Sequence, residues 1–240
     1  VDGRLLDFGT TGKLRLSDLV MWDRQTESWW QQVSGEAIVG ELTGQRLTFL
    51  NAPMVSFETF RQVHPQGQVL SRNTGFSRSY GQNPYAGYDS SGHPFLFDQA
   101  ADPRLKALER VVTLELGSVA KAYPYGILRE ARVLTDTVND QPLVLFFREG
   151  TASALDKQRI VDGKDVGAGT IFSPVLDGRR LRFTSDERGY RDQNTGSLWN
   201  QLGQAIEGPL AGRKLTPVLH GNHFAFAWFA FRPDSLVFTQ

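Results

Sequence analysis

His220 and His223, separated by Gly221 and Asn222, form the most pointed polar cluster in the chain. Two imidazoles three residues apart can meet one divalent metal ion, with each ring's other nitrogen held by an acceptor. A third ligand must come from afar, and Asp18 and Glu36 are candidates that spacing does not separate. On the alternative reading both imidazoles cap the helix that follows and bridge polar groups near the surface.

A second candidate surface lies in the stretch from Arg72 to Arg104, which has no sustained periodicity and is rich in Gly, Tyr, Asn, Ser and Pro. Unpatterned loops of this length are usually functional or disordered. Tyr80, Tyr85, Tyr88, Phe95 and Phe97 argue for a loop packed by its own side chains. Tyr80, Asn83, Tyr85 and Tyr88 are its candidate contacts, with an unknown small molecule or protein as ligand. Tyr85 and Tyr88 are expected near the junction of the two halves described below. Trp22, Trp29, Trp30 and Trp199 can stack on sugars or other flat ligands. Trp30 and Trp199 occupy equivalent places and read as core, whereas Trp29 alternates to the other face and is the exposed candidate.

Other signals exclude chemistry. The glycine run Gly163–Gly169 has no helix after it, so it lacks the amide cradle and dipole of a nucleotide site. Gly-x-Ser-x-Gly, zincin and Walker-lysine patterns are absent. The chain has no cysteine, which rules out disulfides and thiolate nucleophiles within it. Twenty-six basic residues balance 26 acidic ones without a basic run, so nucleic acid is not expected as a partner. No transmembrane run is visible.

What positions these residues is a stretch that occurs twice. Asp23–Val33 answers Asp192–Leu202, and Ala37–Thr48 answers Ala205–Thr216 with seven of twelve positions identical. Asp2–Phe8 answers Asp177–Phe183, and Ser56–Ser71 answers Phe224–Thr239. The earlier copy carries Ala52 and Val55 in place of the two histidines, so the fold does not require imidazole there.

Sixteen Phe, six Tyr and five Trp suit packed sheet faces. The spacing predicts short strands at Leu5–Phe8, Leu19–Trp22, Ser28–Val33 and Arg46–Leu50. Hairpins are expected over Val111–Tyr123, and over Val133–Phe147 across Asn139-Asp140. A further strand is expected at Thr170–Pro174. Ser56 caps a helix ended by Pro65, a short helix follows Pro124, and an aromatic helix spans about Asn222 to Arg232. The expected fold is mainly β with short helices (β-rich α+β), built from two homologous halves with pseudo-two-fold symmetry. Residues 1–104 hold the first half-repeat plus the long loop and residues 105–240 the second, in one compact unit. The later copy has Val111–Val175 ahead of it and the earlier copy has no such strands before Val1. An edge around Leu5, Leu6 and Phe8 is therefore expected to be completed by an N-terminal segment or a second chain.

Ser17–Arg24, Thr26–Trp29, Gly35–Gly40, Tyr80–Tyr88, Ala122–Pro124, Asn200–Gly203 and His220–Trp228 together resemble the prokaryotic family called domain of unknown function 3179 (DUF3179). The resemblance covers essentially the whole chain and brings no established activity. Family members carry a Cys-Pro-Leu-Cys segment ahead of this region. Phe146–Glu149 holds the equivalent place in the later copy without cysteine, so no thiol role is implied for this chain. The resemblance implies an extracytoplasmic location, periplasmic or secreted. The expected function is a ligand-binding or structural module using the Tyr80–Tyr88 loop, and the alternative is a metal-dependent enzyme or metal-binding protein using His220 and His223.

Overall fold

In the computed structural model, which describes residues 1–239, the chain is mainly β with three short helices. The first sheet is an antiparallel meander of β1 (Phe8–Arg15), β2 (Asp18–Asp23), β3 (Trp29–Gln31) and β4 (Glu36–Val39) in that order. Leu16 and Ser17 join β1 to β2 with φ of 54° and 63°, and such paired left-handed residues match the twist of the flanking strands. The strand expected at Leu5–Phe8 instead begins at Phe8. Leu5 is 92% exposed and outside the ladder. Phe8 lies on an edge strand and pairs with Asp23 of β2. The strand expected at Arg46–Leu50 is reduced to one bridge, Glu36 to Arg46.

Helix α1 (Phe57–Val63) follows, with the Ser56 hydroxyl accepting from the Thr59 amide as an N-cap should. The long loop leads into β5 (Arg110–Leu116) and β6 (Val119–Pro124), then α2 (Tyr125–Ala131). Next come β7 (Val133–Val138), β8 (Gln141–Arg148) and β9 (Ala168–Phe172), a three-stranded sheet. A small hairpin of β10 (Val175–Leu176) and β11 (Arg179–Arg180) precedes the second meander: β12 (Phe183–Asp186), β13 (Gly189–Asp192), β14 (Leu198–Trp199) and β15 (Ala205–Glu207). The chain then forms β16 (Gly221–Phe224), α3 (Ala225–Phe231) and β17 (Leu236–Val237), the two strands flanking β5–β6 in the order β16-β5-β6-β17. The aromatic helix thus starts at Ala225. Asn222 belongs to a strand, because β16 pairs with β5 from Gly221 opposite Thr113 to Phe224 opposite Arg110.

The two meanders share strand order and internal bonding. Asp23 and Asp192 are fully buried, and a buried carboxylate must be supplied with donors. Trp30 Nε1 donates to Asp23 at 2.9 Å, and Trp199 Nε1 to Asp192 at 2.9 Å. The Thr26 amide reaches Asp23 at 2.7 Å, and the Thr195 amide reaches Asp192 at 2.6 Å. Ser28 and Ser197 each accept from an amide of the next turn, Leu42 and Leu210, at 3.0 Å. The recurring Asp, Thr, Ser and Trp are therefore a set of turn and indole anchors.

What covers the meanders differs. Val144, Phe146 and Phe172 of β8 and β9 pack on Leu181, Phe183, Tyr190, Trp199, Ala205 and Leu215, all buried. Phe146 stacks on Tyr190 with centroids 4.0 Å apart. On the Trp30 face of the first meander the apolar cluster is Trp30, Ala37 and Leu42, with Val1, Leu6, Phe8, Met21 and Leu47 half-covered against it.

Candidate functional site

The Tyr80–Tyr88 stretch is held by backbone groups of a second loop. The Asn83 amide donates to the Gln158 carbonyl at 2.7 Å and its Nδ2 to the Lys157 carbonyl at 3.1 Å, while its Oδ1 accepts from the Tyr85 amide at 2.7 Å. Asn83 is buried, and these bonds engage both polar atoms of its side chain. It therefore staples the loop. Gly87, at φ 83°, then donates to the Asp156 carbonyl at 2.7 Å. Beneath it, Asp89 pairs with Arg110 at 2.8 Å and accepts from the Ser153 hydroxyl.

Both ends of the chain buttress this loop. Tyr88 packs on Phe224 with centroids 5.7 Å apart, and Phe97 on Phe226 at 5.2 Å, tying it to α3 and the residue before it. Ser17, in the β1–β2 turn, donates to the Phe95 carbonyl at 2.7 Å. Between these anchors the loop frames an open groove of about 630 Å³ lined by Pro84, Tyr85, Tyr88, His93, Pro94, Phe95 and Leu96. Tyr85, Phe95 and Leu96 are 56%, 59% and 63% exposed. Leu96 is held at φ 56°, a conformation that costs a branched apolar residue energy and must be imposed by its surroundings. Burial raises the pKa of the Tyr88 phenol, and the Asp89 charge adds to this, while a bond from the Phe95 backbone opposes it. The phenol stays protonated and keeps its donor.

Of the loop residues read from sequence, Tyr85 and Tyr88 line the groove. Tyr88 lies at the seam with Phe224, but Tyr85 points outward instead of packing there. Tyr80 sits to one side, its hydroxyl bound to Thr74 at 2.5 Å. Trp29 lies apart: it pairs with Trp22, five residues along from Ser17, or roughly 16 Å at ordinary strand rise. The sequence reading did not single out His93, Pro94 and Leu96, which also line the groove. Their signal was a Pro-Phe-Leu run with no polar residue in an otherwise polar loop.

The two histidines do not converge. His220 lies just before β16 and His223 within it, and their rings have different neighbours. His223 stacks on Trp228 at 5.7 Å, in the cluster containing Val111. The other face carries Asn222, opposite Val112, which accepts from the Tyr125 hydroxyl at 2.6 Å. His220 Nδ1 donates to the Val218 carbonyl at 2.7 Å. Among the described residues no group of three or more His, Asp or Glu gathers as a metal-ligand set. Glu36 is taken by Arg46 at 3.0 Å. Asp18 accepts from Gln31 Nε2 at 2.5 Å and the Val33 amide at 3.0 Å.

Burial lowers the pKa of both imidazoles; a bond to the Val218 carbonyl opposes this at His220 and the Asp18 charge opposes it at His223. Both rings are neutral in the fold near pH 7. The unfolded chain binds these protons more readily, so stability is full above about pH 6.5 and declines as pH falls through that value toward the lower folded pKa. Replacing His223 by Phe keeps a ring on Trp228 and removes one titration. The variant is expected to lose less of its urea midpoint than the parent between about pH 7.5 and about pH 5.5. Equal losses would mean that His223 is not held neutral by the fold.

The fold and the loop groove define a class: a β-rich protein with an exposed aromatic surface on a braced loop. The chain belongs to the DUF3179 family, described as protein of unknown function, whose family model matches residues 1–235. No curated protein and no solved structure matches the chain.

Proposed function

We propose that this is an extracytoplasmic binding module whose contact surface is the groove between Tyr85 and Leu96. One observation carries the reading: Tyr85, Phe95 and Leu96 stand exposed on a loop anchored at Asn83, Gly87 and Asp89. A loop that packed only for stability would turn Phe95 and Leu96 inward, since exposing them forgoes hydrophobic burial. The groove is open and lined by proline and aromatic rings. That lining suits an extended apolar segment of a partner protein, the mode by which aromatic grooves take polyproline-type peptides.

The same reading takes the two meanders as duplicated halves, residues 1–104 and 105–240, related by an approximate two-fold axis. Their common strand order and buried Asp–Trp bonds support it, as does Asn51 Nδ2 donating to Val218 across the seam at 3.3 Å. It also takes the half-covered face of Leu6, Phe8, Met21 and Leu47 as a place where a further β-layer, from an N-terminal segment or a second chain, completes the first half.

Selection from a random peptide display library tests the groove. The parent protein is expected to enrich a common apolar motif that the Tyr85→Ala, Phe95→Ala double variant does not retain. Enrichment that is equal for the two proteins, or absent from both, rejects the reading.

A further inference from the structure

The outer face of the first meander carries a feature that the loop groove does not explain. The register aligns Gly9, Trp22, Trp29 and Val39 as one row across all four strands. Trp29 is 38% exposed and Val39 is 53% exposed. The Trp22 ring lies across Gly9: a Cβ there would fall 2.7 Å from Trp22 Nε1. The Arg24 guanidinium sits 5.1 Å from the Trp22 ring centroid and is tied to Asp7 at 3.1 Å. The row is therefore two indoles and a valine across one sheet, with an exposed ion pair at one end.

The second meander is an internal control. Its corresponding row is Thr184, Arg191, Leu198 and Glu207. Arg191 is bound to Asp186 at 2.9 Å, and Glu207 to Arg188 at 2.5 Å. The same strand order thus forms with no aromatic residue in this row. The indole that each sheet uses for its interior, Trp30 or Trp199, lies on the opposite face and is fully buried. Leu198, the counterpart of Trp29, is fully buried, so packing there takes an apolar residue but not an indole, and Arg191 at the Trp22 place shows that no indole is needed there either.

We propose that this row is a saccharide-binding platform, on which Trp29 stacks against the C–H face of a pyranose ring. A pyranose has a flat apolar face rimmed by hydroxyls, so it needs an open ring with donors and acceptors beside it. Trp29 supplies the ring, Arg24 the donors and Asp7 the acceptors. Val20 and Gln31, next along the same face, are buried, while Trp29 and Val39 are open, so the row offers an exposed strip across the strands that suits a chain lying along it and not a small molecule that a cleft must enclose. An apolar peptide would leave the Arg24–Asp7 rim without a role.

The probes are cellohexaose and chitohexaose, followed by tryptophan fluorescence and calorimetry. The parent is expected to bind at least one of them. Trp29→Ala is expected to weaken that binding roughly tenfold or more, on the scale of a central aromatic contact, and Trp29→Phe to weaken it less. Both variants are checked against the parent's urea midpoint. The Tyr85→Ala, Phe95→Ala variant is expected to bind the saccharide as the parent does, so loss of the groove reading leaves this one standing. Absence of heat and fluorescence change with both hexasaccharides overturns the proposal. So does a folded Trp29→Ala variant that binds as tightly as the parent.

Discussion

Asp192→Ala is expected to destabilise the protein by about 3 kcal/mol, measured by urea unfolding. The carboxylate is fully buried and accepts from the Trp199 indole, the Thr195 amide and hydroxyl, and the Asn194 amide. Alanine leaves those donors in a region sealed by Phe183 and Trp199, where water does not replace the lost acceptor. Asp192→Asn keeps one acceptor and the shape, so its loss is expected to be about half as large. Asp23→Ala breaks the same bonds around Trp30 but is expected to cost less than Asp192→Ala. The cover of the first meander is thinner, and water reaches the stranded donors more easily. A loss below about 0.5 kcal/mol for Asp192→Ala would mean that the Asp–Trp bond is incidental to the meander.

That bond explains why the meanders were legible in sequence. An Asp, Thr, Ser and Trp at fixed spacing can satisfy a buried carboxylate in only a few ways, so the recurrence of types implied a recurrence of structure. The hairpins at Asn139-Asp140 and Gly117-Ser118 were legible for a related reason: their turn residues tolerate positive φ. The strand at Gly221–Phe224 was hidden, because Gly-Asn-His-Phe has no alternation and its extension comes from pairing with β5. The three-residue spacing let His220 and His223 meet on one ion, but His220 lies ahead of the strand with its ring on the Val218 carbonyl and His223 lies within it against Trp228. The loop groove was half legible. Tyrosines marked the segment, but the job of Asn83 depends on the carbonyls of Lys157 and Gln158, more than seventy residues away, which no local pattern reveals.

The second large effect concerns the cover of each meander. Phe146→Ala is expected to cost about 3–5 kcal/mol, the range for an aromatic ring removed from a closed core. Phe146 touches Tyr190 face to face and also packs on Phe172 and Phe183, so a cavity there opens contacts on three sides. The position of Tyr190 is taken in the first meander by Met21, pairing with Trp30 as Tyr190 pairs with Trp199. Met21 remains half-covered. Met21→Ala is therefore expected to cost less than about 1.5 kcal/mol, since little apolar area returns to water when a side chain is already partly wet. The comparison reads the state of the first face in solution. If Met21→Ala costs as much as Phe146→Ala, a layer already covers that face in the isolated protein, and a protein concentration series of the urea midpoint then shows whether another copy supplies it. If the inequality holds, Leu6, Phe8, Met21 and Leu47 remain an apolar surface available to a partner, beneath the sheet whose opposite side bears Trp22 and Trp29.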